Sequence, residues 1–266
     1  GEGTQLQMRK FKTRIGKLHS VFISHLHGDH IFGLPGLIST LSLLGRKNDL
    51  NIYAHKEIDF LITPLTAYMG RHLNFNVNII PLNPDKEEVI LENKSIKVTS
   101  FPLKHRIDTN GFIFEEKESL RHIKREMIEF HQIPFTQIYD IKNGADFVKP
   151  NGEVIKNDLL TYRGNPAKRY AYCSDTAYAP EITPYISNVD LLYHEATFAE
   201  SELLRARETY HSTARQAAEI AKEANVKKLV IGHYSSRYNE LGFLLKEAIA
   251  VFPDTELANE GKIFEL

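Results

Sequence analysis

Residues 21–30 read Val-Phe-Ile-Ser-His-Leu-His-Gly-Asp-His, so His25, His27, Asp29 and His30 set four metal-ligand side chains within six positions. They follow an apolar, β-branched run directly. That density of ligand types points to a metal centre and not to unrelated polar residues in a loop. Residues 20–24 suit a buried strand. If extension continues, its period of two sends His25 and His27 to the same side. Gly28 then permits a sharp turn, beyond which Asp29 and His30 can face a second ion.

Three further stretches, 97–103, 169–173 and 228–231, read as short buried strands, followed by His105, Asp175 and His233. A fourth, 190–193, runs into His194 and Glu195. Polar groups recurring at strand ends are what a layered α/β sheet provides, because its strands stop at a rim where loops converge. The residues assemble into two adjoining sites: His25, His27 and His105 around one ion, Asp29, His30 and His233 around another, and Asp175 as the bridge. Taken singly, a histidine such as His105 is commonly a hydrogen-bonded residue, and Asp175 before Thr176 has the form of a helix cap. Imidazole and carboxylate donors suit two zinc ions, with manganese or iron as lesser fits. Two ions about 3.5–4 Å apart can share a hydroxide and stabilise an in-line displacement, which is hydrolytic chemistry.

Helices fit between these strands. Residues 35–44 are an apolar candidate. Thr213-Ala-Arg-Gln216 has the form of a capping box, followed by a helical stripe of Ala214, Ala217, Ala218, Ala221 and Ala224 that ends at Asn225. Another helix is expected over 241–252, before Pro253. Alternating strands and helices predict an α/β fold, with the rest of the sheet expected upstream of Gly1. Residues 115–131 are densely charged with an apolar stripe of Leu120, Ile123, Met127 and Phe130, and predict an exposed amphipathic helix. Residues 146–156, centred on Pro150-Asn151-Gly152, predict a hairpin. We read 115–165 as an insertion projecting from a domain that otherwise spans 1–266.

The 266 residues suffice for a full core, and 42% hydrophobic with 25% charged residues is ordinary for a globular chain. With a formal net charge of −1, any nucleic-acid surface must be a local basic patch. Cys173 is the only cysteine, which excludes an intrachain disulfide and a multi-thiolate zinc site and suits a reducing, cytoplasmic setting. The longest apolar stretch, 36–44, is too short to cross a bilayer, so no membrane association is expected.

Ser24-His-Leu-His-Gly-Asp-His30 resembles the signature of the metallo-β-lactamase fold, a four-layer αββα sandwich with a dinuclear zinc centre at its sheet edges. Gly1-Glu-Gly-Thr-Gln-Leu-Gln7, Phe32-Gly-Leu-Pro-Gly36, His194-Glu-Ala-Thr197, His211-Ser-Thr213 with Arg215-Gln-Ala-Ala218, Ser235-Ser-Arg-Tyr238 and Glu256-Leu-Ala-Asn259 are similar to the ribonuclease Z family of tRNA 3′-processing endonucleases. The likeness covers nearly the whole chain, and suggests that a first β-hairpin lies upstream of Gly1.

The resemblance implies the seven ligands already named, with Asp29 also orienting or deprotonating the attacking water. It adds Glu195 and His211 as a pair that protonates the leaving 3′ oxygen; a carboxylate partner does hold a histidine in its charged, donating form. In a strand His194 should point away from Glu195, which makes it structural. The implied activity is a zinc-dependent endoribonuclease that removes the 3′ trailer of precursor tRNA. The family's arm, which grips the tRNA elbow, usually carries a Gly-Pro-rich tip; here the stretch is Ile133-Pro-Phe-Thr-Gln-Ile138. Lys124, Arg125, Lys142 and Lys149 are candidate phosphate contacts on the arm, and Arg237 is one near the acceptor stem, or else the member of a structural ion pair. The family is usually a homodimer, to whose surface Tyr238 and the helix after Pro35 could contribute. The rivals are a phosphodiesterase of the same fold acting on small or cyclic phosphodiesters, an exoribonuclease of that fold, and a non-catalytic RNA-binding module with structural zinc. The arm argues against a small substrate. A bridging carboxylate and an acid pair argue against a closed structural site.

Overall fold

In the computed structural model, which describes residues 1–69 and 73–266, the chain falls into two compact units. The first comprises 1–92, 98–114 and 169–266; the second comprises 93–97 and 115–168.

The first unit opens with helix α1 (Thr4–Lys10), then strand β1 (Ser20–Phe22), α2 (Gly28–Ile31), α3 (Gly33–Leu43), β2 (Leu50–Ala54), α4 (Asp59–Met69) and β3 (Val77–Pro81). Strands β1, β2 and β3 form a parallel three-stranded sheet. One of its faces packs Ile52 and Ala54 against Leu34, Ile38 and Leu41 of α3 and Ile62 of α4. Next come β4 (Glu88–Glu92), β5 (Ile96–Pro102) and β6 (Asn110–Glu116).

The second unit contains β7 (His122–Ile123), α5 (Arg125–Phe130), α6 (Phe135–Lys142), β8 (Phe147–Val148), β9 (Val154–Ile155), α7 (Asn157–Leu160) and β10 (Thr161–Tyr162). The chain then returns to the first unit with β11 (Arg169–Cys173), β12 (Leu191–Glu195), α8 (Leu203–Thr209), α9 (Ala214–Glu223), β13 (Leu229–Gly232), α10 (Gly242–Ile249) and β14 (Thr255–Leu257).

A seven-stranded sheet runs in the order β14-β13-β12-β11-β6-β5-β4, and its β11–β14 stretch is parallel. Alternation decides what each face buries. Ala171, Cys173, Leu192, Leu229 and Ile231 meet the alanine stripe of α9 and Leu244 and Ala248 of α10. Phe112, Phe114 and Tyr172 on the opposite side pack with Phe22 and Tyr53 of the three-stranded sheet. Helices thus cover the outer faces and aromatics fill the space between the sheets, giving the αββα arrangement. The Thr213 side chain accepts from the Gln216 N–H while Gln216 caps the Thr213 N–H, closing the expected capping box. No helix among the described residues is long and apolar enough to cross a membrane.

The second unit has its own small core of Ile133, Ile141, Phe147, Ile155 and Leu160. Asn157 ties its turns together, donating to the carbonyls of Ile141 at 2.6 Å and Ala145 at 2.7 Å. The hairpin expected over 146–156 forms from β8 and β9. The single helix expected over 115–131 does not. Residues 115 and 116 continue β6, His122–Ile123 pair antiparallel with Thr161–Tyr162, and only Arg125–Phe130 are helical. Strand pairing overrides the helical spacing there: Ile123 and Met127 pack on the small core, whereas Phe130 is 78% exposed. The helix expected over 241–252 is also shorter, ending at Ile249.

Candidate active site

The parallel strands β11, β12 and β13 end at one rim, and their register puts Cys173 beside His194 and Glu195 beside Gly232. Asp175, Glu195 and His233 therefore emerge close together. His233 has φ +57°, a left-handed conformation uncommon outside glycine that lets the chain turn sharply at the strand end. Gly232 is required before it, because a Cβ there would collide with Tyr193. Across the rim, residues 25–27 follow β1, and α2 carries Asp29 and His30 in its single turn. A Cβ at Gly28 would meet the exposed ring of Phe32, which would have to turn aside.

The structure gathers the seven candidate ligands into two donor sets. In the first, His27 Nδ1 lies 3.0 Å from His25 Nε2 and 3.3 Å from His105 Nε2, and Asp175 Oδ2 is 3.6 Å from His25 Nε2 and 3.9 Å from His105 Nε2. In the second, His30 Nε2 lies 3.5 Å from both Asp29 Oδ2 and Asp175 Oδ1, and His233 Nε2 lies 3.8 Å and 3.4 Å from the same two oxygens. Each oxygen of Asp175 thus faces a different set. No helix starts at Asp175, so it is not the cap its sequence setting allowed.

These residues fit divalent metal on three grounds. Donors about 2.0–2.2 Å from a tetrahedral zinc stand about 3.3–3.6 Å apart, close to the separations above. His30 Nε2 is buried with no hydrogen-bond partner. His105 Nδ1 donates to the Tyr210 carbonyl at 2.8 Å and His25 Nδ1 meets Ser24 Oγ at 3.0 Å, so both direct a bare Nε2 inward, where nitrogens converge without protons enough to pair them. Burial, reinforced by the charge of His30, pushes His25 down to about 3, and burial also lowers His105. Neutral imidazoles are the form that ligates. Burial would raise the Asp175 carboxyl, but His30, His233 and His25 outweigh it and hold the group well below the usual carboxylate range.

Beside these sets, Glu195 is fully buried and accepts five hydrogen bonds. Oε1 takes His211 Nδ1 at 2.8 Å and the Thr176 and Ser212 N–H groups, each at 3.1 Å; Oε2 takes the N–H and hydroxyl of Thr197, each at 2.9 Å. Burial would lower His211, but its bond to the Glu195 carboxylate prevails and raises it above the ordinary histidine value. With Nδ1 so engaged, Nε2 is the nitrogen that can offer a proton. His194, by contrast, is buried on the other side of β12, with Nδ1 bonded to the Glu195 carbonyl at 2.7 Å.

Sequence reasoning missed four supporting groups. Thr197 Oγ1 sits 2.9 Å from His233 Nδ1 while bonding Glu195, so it joins the Glu195–His211 pair to a candidate ligand. Ser24, Ser174 and the Tyr210 carbonyl orient other donors. Ser24 and Thr197 lie at the ends of quoted motifs but carried no assigned role, and Ser174 and Tyr210 are signalled only by adjacency to Asp175 and His211. Of the candidate RNA contacts, Lys149 pairs with Glu153 at 3.1 Å, Lys124 donates to the Leu159 carbonyl at 2.8 Å, and Arg237 stands 3.9 Å from Glu202. Arg125 begins α5, and Lys142 ends α6 on a surface cavity shared with Arg121 and Arg163. Tyr238 bonds Glu202 and the Ala199 N–H.

An αββα sandwich with two histidine–carboxylate donor sets at its rim defines a metallo-β-lactamase-type hydrolase. Residues 3–123 and 144–234 match the family model described as "Beta-lactamase superfamily domain". The chain is 53% identical over 261 residues to "Ribonuclease Z" of Parabacteroides distasonis, covering 98% of this chain and 86% of that one. It is 51% identical over 266 residues to "Ribonuclease Z" of Bacteroides fragilis, covering 100% and 88%. In fold it is similar to human tRNase Z, short form, with TM-score 0.67 and 24% identity over 100% of this chain and 85% of the other. It is also similar to the metallo-β-lactamase fold protein YhfI of Bacillus subtilis, with TM-score 0.65 and 20% identity over the same shares. The chain belongs to the ribonuclease Z family.

Proposed function

We propose that this chain carries out tRNA 3′-end processing as an endoribonuclease, cutting precursor tRNA on the 3′ side of the acceptor stem with two zinc ions held by the seven residues above. The observation that carries this reading is Asp175, whose two oxygens face two separate histidine sets within reach of the Glu195–His211 pair. Divalent metal bound there supplies Lewis acidity toward the phosphodiester and makes water acidic enough to attack near neutral pH. Asp29, whose side chain is 68% exposed, takes the proton of the entering water. His211 gives its Nε2 proton to the departing 3′ oxygen as the phosphorus–oxygen bond breaks, leaving a 3′ hydroxyl on the tRNA. The bond from His211 to the Glu195 carboxylate favours the charged, donating form of the histidine.

The second unit, inserted over about residues 115–165, serves as an RNA-gripping arm, since it holds none of the donor residues. Lys124, Arg125, Lys142 and Lys149 contact phosphates there, and Arg237 does so near the acceptor stem once released from Glu202. The enzyme works as a homodimer in the cytoplasm, in keeping with its single buried thiol. The test is incubation with a precursor tRNA carrying a 3′ trailer, mapping products at nucleotide resolution with zinc, manganese or chelator. A single cut releasing an intact trailer is expected; stepwise shortening or chelator-resistant cleavage would overturn the proposal.

A further inference from the structure

Behind the donor sets runs a short buried chain of hydroxyls. Ser24 Oγ lies 3.0 Å from His25 Nδ1 and 3.0 Å from Ser174 Oγ, which in turn lies 3.3 Å from Asp175 Oδ1. Both serines are buried, at 5% and 2% exposure. The direction of every bond follows from its end. An ionised carboxylate only accepts, so the single proton of Ser174 goes to Asp175, that of Ser24 goes to Ser174, and His25 must supply its Nδ1–H to Ser24. The Ser24 backbone is pinned: its carbonyl accepts the Asn110 N–H at 2.9 Å and a bond from His55.

The two ends of this chain belong to different donor sets. His25 turns Nε2 toward the set of His27 and His105, whereas Oδ1 of Asp175 faces His30 and His233. We propose that Ser24 and Ser174 form a relay of one-way hydrogen bonds that couples the two metal positions, so that fixing His25 for one ion also fixes the bridging oxygen for the other. The relay rests on the two-metal reading above. The serines are positioning residues and touch neither substrate nor ion.

Zinc affinity is measured on the full chain by competition with a chromophoric chelator, for wild type, Ser24→Ala, Ser174→Ala and the double variant. Imidazole resonances assign each step to its donor set. Wild type should take up two ions. Each single variant should weaken binding at the Asp29, His30 and His233 position by roughly 10- to 100-fold, the usual cost of losing a partner of a ligand. Because either break interrupts the same chain, the double variant should be no weaker than the worse single one, and Ser24→Thr and Ser174→Thr should restore affinity. Additive losses, or a Ser24→Ala effect confined to the His25 position, would overturn the relay. Should an alanine variant fail to fold, the wild-type zinc form decides alone. Its His25 Nδ1 proton must be protected from exchange and close to a slowly exchanging Ser24 hydroxyl proton; exchange at the rate of an exposed imidazole overturns the relay. Uptake of fewer than two ions by wild type would instead sink the two-metal reading itself.

Discussion

Replacing His211 by alanine tests the proposed proton donation apart from metal binding, because the Nδ1 of this ring is committed to Glu195. Its Nδ1 contributes one of five hydrogen bonds to the buried carboxylate; the Thr176, Ser212 and Thr197 N–H groups and the Thr197 hydroxyl remain. Glu195 keeps partners on both oxygens, so the stability cost is that of one charge-assisted hydrogen bond, about 1.5–3 kcal/mol. The chain should stay folded and bind two metal ions. Cleavage of precursor tRNA should slow by on the order of 10² to 10⁴, the range for a lost general acid, which is about 2.7–5.4 kcal/mol of barrier. The informative assay pairs this substrate with an aryl phosphodiester whose leaving group needs little protonation. On that compound the variant should lie within several-fold of wild type. An equal slowing on both substrates, with metal content unchanged, would refute proton donation by His211.

Glu195→Gln should move the alkaline limb of the kcat/KM profile to lower pH. The donating form of His211 is lost as pH rises through its pKa, and the carboxylate that raises that pKa has been removed; an unmoved limb would show that another group titrates. Asp175→Ala should depress occupancy of both metal positions by elemental analysis in a folded protein, since one carboxylate faces both sets; loss of a single ion would contradict bridging. Thr197→Val removes the partner of His233 Nδ1 and should weaken one ion by roughly 10- to 100-fold while the other stays bound. Deleting 118–154 across a short Gly-Ser bridge should leave aryl phosphodiester cleavage within several-fold of wild type, because that segment holds no donor residue. Precursor tRNA cleavage should fall steeply and its salt dependence should flatten; equal loss on both substrates would mean the segment shapes the active site.

What could be read in the sequence follows chemical rarity. Four ligand types in six positions, and polar residues after apolar runs, are hard to produce by chance, so the donor residues and their strand-end placement were legible. The two-residue period also separated buried His194 from Glu195 on adjacent positions of β12. His211 was singled out only through the family resemblance, because it lies in the connection between α8 and α9, where no periodicity marks it; the structure places its ring against Glu195. Ser24, Ser174 and Thr197 are common residues whose part comes from neighbours up to 150 positions away, as with the Ser24–Ser174 bond. Residues 115–131 misled for a different reason. Leu120, Ile123, Met127 and Phe130 happen to fall at helical spacing, but the backbone of His122 and Ile123 is claimed by pairing with Thr161 and Tyr162.

The register of β11, β12 and β13 explains why one rim can hold so much charge. Parallel pairing aligns Cys173 with His194 and Glu195 with Gly232, so the carboxylates of Asp175 and Glu195 leave neighbouring strands at nearly the same height. Two buried carboxylates so placed would repel strongly unless each had its own partners. Glu195 is satisfied by backbone N–H groups, the Thr197 hydroxyl and His211, whereas Asp175 meets imidazoles on both sides. One site therefore carries a carboxylate committed to protein hydrogen bonds and another left facing the donor cavity. A slip of one residue in β12 would exchange Glu195 with His194, turning the carboxylate into the apolar layer against α9 and leaving the Thr176 and Ser212 N–H groups without their acceptor. The hydrophobic alternation of Leu192 against Leu229 and Ile231 forbids that slip. The apolar pattern of the core thus selects which of two adjacent polar residues reaches His211.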